Sequence, residues 1–596
     1  MSRSGGTEEE RFFQELEERL AACSAEDLRY VFRELSRYLP EQVRTNLLAI
    51  LVPGCAVLPP TTEAVEPEPP GPELLENIRD LRVRLESDME NPDYTYEDED
   101  EYREYMADDS LGPYEDYLDE VVDYFIQTRE ALAQGESALA RDAYQALFEI
   151  CALEDEYGRG LHRSSLPHDQ IDVDRVALDY LALVYRLEEP AARPGAFHDA
   201  LQQISGWCFW QADKPIVTEL FAHDPALPDQ AAFLDAWIQF LRSLESRQTD
   251  IWLRQAVVLH RGVAGLAELA REEGERRPHA YLDWCQALLA EHRYPEMLNT
   301  AGEALQRLPE DLAIRAGIAD CQDRAARELD DGEALLRARW QALLAEPRLA
   351  RLLALHEATA PGGRQALAVE TVGALTRLDR EMSGSLSELD VLNSYDRPPG
   401  LESRREPSPL LLLQAHLLTG RMDQALAFTQ QRRDESRSGK SPLELLTLTA
   451  LLTLLGGHAT AALPPNLRVL WQGYDGGSSY PWLFMESGSG VYGTPMVQPF
   501  QDVCREILAG VDPDDEQRAR YLDWCLDITR QQVAQIVGGQ NRRFYSQAAT
   551  LTGACAEMLR TAAGEIQADR FVAEIRERYP RHRAFQSELQ EALNRR

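Results

Sequence analysis

The residues whose spacing comes nearest to known chemistry are Gly488, Ser489, Gly490, Val491, Tyr492 and Gly493, which spell G-x-G-x-x-G. A loop of that kind cradles phosphates when a strand precedes it and a helix opens behind it, so that backbone N–H groups meet the pyrophosphate. Here Pro495 and Pro499 follow, and the sequence opens no helix. A kinase-type glycine loop needs a downstream lysine, and none follows Lys440. Lys440 itself lies in "SRSGKSP", the tail of a Walker A motif. Asp434 stands where the first glycine belongs, and Pro442 blocks the helix start. Neither phosphate loop is complete.

His168, Asp169, Asp172 and Asp174 form the one His–carboxylate cluster. Asp172 and Asp174 are two residues apart and cannot share a helix face, so one of them reads as a helix N-cap before "RVALDYLALVYRL". The nine cysteines stand singly, with no C-x-C or C-x-x-C, so no zinc knuckle or redox dithiol is written locally. G-x-S-x-G and H-E-x-x-H are absent, and His198 and Cys208 are simply ten residues apart in a helical stretch. No motif supports an enzyme, and no cofactor or metal site is expected.

The elements that would hold a site are helices. Gly135, Ala140 and Tyr144 in "LAQGESALARDAYQALFEI" give a small residue at a helix start, another one turn and a bit later, then an aromatic. That spacing lets two helices approach closely and plugs the next pair, as in tetratricopeptide-like repeats. Gly420, Ala425 and Phe428 repeat it with the aromatic one place early. Tyr294, Ala304 and Pro309, then Ala568 and Pro580, keep parts of it. Ala, Leu, Glu, Arg and Gln dominate and strand formers are sparse. The expected fold is all-α: a tetratricopeptide-like α-solenoid of antiparallel helix pairs, interrupted by one irregular insertion.

At 596 residues with 44% apolar content, the chain is folded and too long for one core. It carries 101 acidic and 61 basic residues, net −40. Such a surface repels phosphates and anionic membrane, so direct nucleic-acid and membrane binding are not expected and a basic protein partner is favoured. Lys214 and Lys440 are the only lysines, a skew that fits a GC-rich bacterial genome. Unclustered cysteines, and the lack of a signal core or a membrane-length apolar run, point to the cytoplasm.

Five regions follow along the chain. Residues 1–52 read as an N-terminal helical bundle with capping boxes at Thr7/Glu10 and Ser24/Asp27. Residues 53–113 hold a Pro-rich linker, a short helix near Leu74–Leu85 and an acidic strip containing Glu97, Asp98, Glu99, Asp100 and Glu101. Residues 114–460 read as the solenoid, with a hinge or partial boundary at Arg397–Pro409. Residues 461–500 read as a Gly/aromatic insertion bearing Trp471, Tyr474, Trp482 and Tyr492, and 501–596 as C-terminal repeats. "YLDWC" occurs at Tyr281–Cys285 and Tyr521–Cys525, and each copy is expected to open a helix. The acidic strip and the four insertion aromatics are the expected partner contacts.

Three separated blocks, "SAEDLRYVFRELSRYLPEQVRTNLL", "DYLDEVVDYFIQTREALAQGESALARDAYQALFEICALEDEYG" and the stretch from Arg520 to Leu593, resemble the helical region of bacterial SWIM zinc-finger proteins. In the last block the resembling residues are Tyr545, Ala548, Ala549, Tyr579, Pro580, His582, Arg583 and Phe585. The finger itself, C-x-C followed by C-x-H, is absent, so the resemblance implies a scaffold and no zinc or nucleic-acid role. With the tetratricopeptide likeness, it implies a protein-binding adaptor or regulatory subunit. The alternatives are an enzyme accessory domain with residues 461–500 as a lid, or a substrate or inhibitor of a partner protease or effector.

Overall fold

The computed structural model describes residues 73–90, 114, 117–154, 160–161, 166, 171–205, 216–382, 406–435, 442–472 and 499–595. Among these the fold is all-α, its one β feature an isolated antiparallel bridge between Glu154 and Gly160. The N-terminal bundle, the acidic strip from Glu97 to Glu101, most of the expected hinge (397–405) and residues 473–498 of the insertion lie outside them.

The first apolar core gathers α1 (Glu73–Glu90), α2 (Leu118–Ala133), α3 (Ser137–Cys151), α4 (Val173–Leu187), α5 (Arg193–Ser205), α6 (Ile216–His223), α7 (Gln230–Arg242), α8 (Arg247–Glu273), α9 (His279–Ala290), α10 (Tyr294–Arg307) and α11 (Arg315–Glu328). The second gathers α12 (Gly332–Ala345), α13 (Leu349–Ala358), α14 (Arg364–Met382), α15 (Pro409–Leu418), α16 (Met422–Glu435), α17 (Pro442–Leu455), α18 (Pro465–Gln472), α19 (Phe500–Leu508), α20 (Asp515–Val533), α21 (Tyr545–Ala562), α22 (Glu565–Arg578) and α23 (Arg583–Asn594). Leu375 and Leu411 share the second core, and the two apolar clusters meet at α11–α12. Helix α18 also occupies part of the stretch expected to be irregular.

Local chemistry sets many of these boundaries. Asp172 is the N-cap of α4, its carboxylate accepting from the Arg175 backbone N–H at 3.1 Å. Ser246 and Thr249 form a reciprocal capping box at α8, as do Asp514 and Gln517 at α20. The second "YLDWC" therefore lies inside α20 and does not open it. In both copies the Tyr and Cys are buried on one face, and the phenol donates to a carboxylate on another helix: Tyr281 to Glu303 at 3.2 Å, Tyr521 to Asp423 at 2.5 Å.

The glycines of the repeat spacing act chiefly through the backbone, although a Cβ at Gly420 would also meet Ile507 at 3.4 Å and Val511 at 3.6 Å. Gly135 has φ +91° and a Cβ there would meet nothing within 4 Å, so closeness of helices does not require it. It ends α2 in a Schellman motif, with Gly135 N–H donating to Leu132 O and Glu136 N–H to Ala131 O, both at 3.0 Å. Gly420, at φ +72°, ends α15 in the same left-handed conformation. His292 and Asp330 adopt it at φ +57° and +54° and end α9 and α11. Each is the middle of a three-residue turn into the next helix.

Small size matters at Ala140 and Ala425, which are buried at 0% and 1% exposure. Helix α3 packs on α1, α2 and α4, with Phe125, Tyr144 and Phe148 filling the space between them. Ala140→Leu is expected to overpack this contact and destabilise it by about 1–3 kcal/mol. A urea midpoint unchanged from wild type would show that the site has spare room.

Polar layers interrupt the apolar cores. At the α11–α12 seam, Arg351 grips Asp320 through two contacts of 2.6 and 2.9 Å and also binds Glu346, while Arg339 binds Asp323 at 2.7 Å. Deeper in the first core, Asp250 is fully buried between Arg254 and Arg277, each at 3.1 Å. Arg277 also donates to Glu273 at 2.8 Å and to the Leu244 carbonyl at 2.8 Å. It thereby ties the end of α7 to α8 and α9.

Candidate partner-binding site

Of the residues expected to contact a partner, Trp471 alone lies among those described. Glu97, Asp98, Glu99, Asp100, Glu101, Tyr474, Trp482 and Tyr492 lie outside them. Trp471 is fully buried on α18, and its indole N–H donates to Thr453 Oγ1 on α17 at 2.9 Å. Its ring lies 6.3 Å from that of Phe500, which is equally buried at the start of α19. Trp471 is thus a core residue joining the two flanks of the insertion rather than a surface contact.

Other bonds hold the same base in place. Glu557 on α21 accepts the backbone N–H groups of Asn466 at 3.0 Å and Leu467 at 3.2 Å, satisfying donors in the first turn of α18. The Asn466 amide donates to Glu557 and to the Ala592 carbonyl, and Arg595 reaches the Asn466 oxygen at 3.2 Å. Gly553 passes beneath that amide, and a Cβ there would sit 2.7 Å from its nitrogen. Arg505 donates to the Ala461 carbonyl at 2.5 Å and holds the approach to α18. The sequence carries no sign of this network, because its partners lie from 44 to 129 positions apart.

A recess at α13–α15, lined by Leu352, His356, Arg364, Thr371 and Ala415, encloses about 10 Å³, enough for one water. No group of three metal-ligating side chains occurs among the described residues. The buried thiols of Cys321, Cys504 and Cys555 are pushed up to about 12 by burial, and Cys285 and Cys525 are raised well above the ordinary thiol range. Thiols in that state are poor nucleophiles at neutral pH.

Three histidines make the second core sensitive to acid. Burial lowers the pKa of His356, His416 and His458, with Arg364 and Arg505 adding to the effect at the first and last. The unfolded chain takes up these protons near pH 6.5 while the folded chain resists them, so stability is full above that value and lost as pH falls below it. The carboxylates held low by partners, Asp423 by Tyr521 and Glu574 by Arg530, lose stability only in more acidic solution. A urea midpoint lower at about pH 5.5 than at about pH 7.5 is expected, with a smaller difference in His416→Leu. Identical slopes in both proteins would remove His416 from this account.

No helix among the described residues is long and apolar enough to cross a membrane. No family model matches the chain, and no curated protein matches it.

Proposed function

We propose that this protein is a binding scaffold: a tetratricopeptide-like solenoid of antiparallel helix pairs that recognises a segment of a protein partner, as an adaptor or regulatory subunit. One observation carries the reading. The helix, left-handed residue, helix unit recurs at Gly135, His292, Asp330 and Gly420, each with a three-residue turn. Stacked units of that kind leave an extended surface on which many weak contacts add up to affinity. The excess of carboxylates favours a basic partner, and six buried thiols without disulfides are compatible with a reducing cytoplasm.

Hydrogen exchange on the full chain, with and without a partner purified from its host, tests the reading. Protection in a continuous stripe over α2, α9, α11 and α15 supports groove recognition. Protection confined to the insertion would overturn it in favour of a loop-borne site. Stoichiometric zinc in the purified protein, or thermal stabilisation by ATP, would also count against a pure binding role.

A further inference from the structure

We propose that the C-terminal arginine–aromatic surface around Tyr545 and His582 docks a carboxylate-rich segment of a protein partner. The proposal rests on the scaffold reading and specifies the chemistry of one contact. Two turns distant in sequence meet here. One is the 3₁₀ turn Arg542–Phe544 that leads into α21; the other runs from Tyr579 to His582 between α22 and α23. The Tyr545 hydroxyl and His582 Nδ1 are 3.2 Å apart. The Tyr545 and Tyr579 rings both lie about 6 Å from Phe585, at 6.0 and 6.1 Å, and Tyr579 is 5.8 Å from His582. Tyr545, Tyr579 and Phe585 are buried, so the turns are fixed relative to each other.

Arg542, Arg543, Arg578, Arg581 and Arg583 are exposed, and each is close in sequence to a member of that aromatic base. Arg543 and Arg578 lie over the Phe544 and Tyr579 rings, both at 5.9 Å. None of the five forms an ion pair among the described residues. Single exposed arginines elsewhere are paired, as Arg271 with Glu303 and Arg293 with Glu291 and Glu296, or stand unpaired among the described residues, as Arg324 and Arg421; here five are gathered on two adjoining turns. Over 540–545 and 576–583 the sequence has six arginines and one carboxylate, Glu577, in a chain that is net −40.

A patch of that sign within an acidic surface steers acidic segments to itself. Guanidinium forks match carboxylates through paired N–H donors, and two of the five, Arg543 and Arg578, are partly oriented by the rings beneath them. A nucleic acid would carry its charge past the patch onto the surrounding negative surface. A short acidic peptide segment spans the patch alone, within about the 8 Å over which exposed charges act at physiological salt.

Fluorescence anisotropy of a labelled oligoglutamate peptide with the full chain tests the proposal. Saturable binding that weakens as salt rises is expected, as is a loss of about tenfold or more in R542E/R543E/R581E/R583E. The milder R542Q/R543Q/R581Q/R583Q, checked for native helicity, should weaken binding in the same direction. Reversal of the exposed Arg324, Arg377, Arg380 and Arg421 should not reproduce the loss. Absent saturable binding, equal losses in patch and control variants, or tighter binding of a single-stranded oligonucleotide of equal charge would overturn it. A peptide that separates patch from control variants, while hydrogen exchange finds no groove protection, would refute the scaffold reading and leave the patch standing.

Discussion

Asp250→Ala is expected to destabilise the α7–α9 region by about 3–5 kcal/mol, among the largest effects of any single substitution here. Asp250 is 0% exposed and is the carboxylate shared by Arg254 and Arg277, the latter 1% exposed. Removing it leaves two buried guanidinium groups facing each other. Arg254 keeps Asp283 and Arg277 keeps Glu273, but neither retains a shared counter-charge. Replacing all three residues with apolar ones of similar volume should recover much of the loss, because desolvating the cluster is itself costly. Hydrogen exchange of amides in α7, α8 and α9 measures this region directly. Protection unchanged in Asp250→Ala would show that water reaches the arginines and that the cluster is not held as described.

Trp471→Ala is expected to cost about 3–5 kcal/mol by leaving a cavity in the second core. The ring fills the space between Thr453 and Phe500, so its loss also frees α18 from α19 at the base of the insertion. Trp471→Phe should lose less, keeping most of the ring volume while giving up the bond to Thr453, worth about 1 kcal/mol. Urea titration read by far-UV circular dichroism distinguishes the two. If Trp471→Ala unfolds at the wild-type midpoint and only partner binding suffers, the residue works as a surface contact after all.

Much of the fold is legible in the sequence. Composition and helical spacing are local properties, so the all-α class, the helix of Leu74–Leu85 and a cap at Asp172 or Asp174 follow from residue order alone, and the structure places the cap at Asp172. Gly135 and Gly420 stand out as special positions, but sequence does not distinguish a glycine needed for φ from one needed for closeness: Gly135 serves φ alone, while a Cβ at Gly420 would also meet Ile507 at 3.4 Å and Val511 at 3.6 Å. His292 and Asp330 fill the same backbone role without a glycine. The only signal for them is the mild tendency of His and Asp to adopt positive φ.

The candidate site is less legible. An aromatic beside a glycine-rich stretch reads the same whether it points to solvent or into a core, and Trp471 takes the second course. Glu557 reaches the start of α18, and Tyr545 meets His582, across separations that no local pattern encodes. The sequence by itself determined the helical class, the charge and the helix caps, because each depends on neighbours within a few residues along the chain. Tertiary structure alone decided where the core divides, which carboxylate is buried beneath two arginines and which arginines stay unpaired, because burial and ion pairing depend on distances through space.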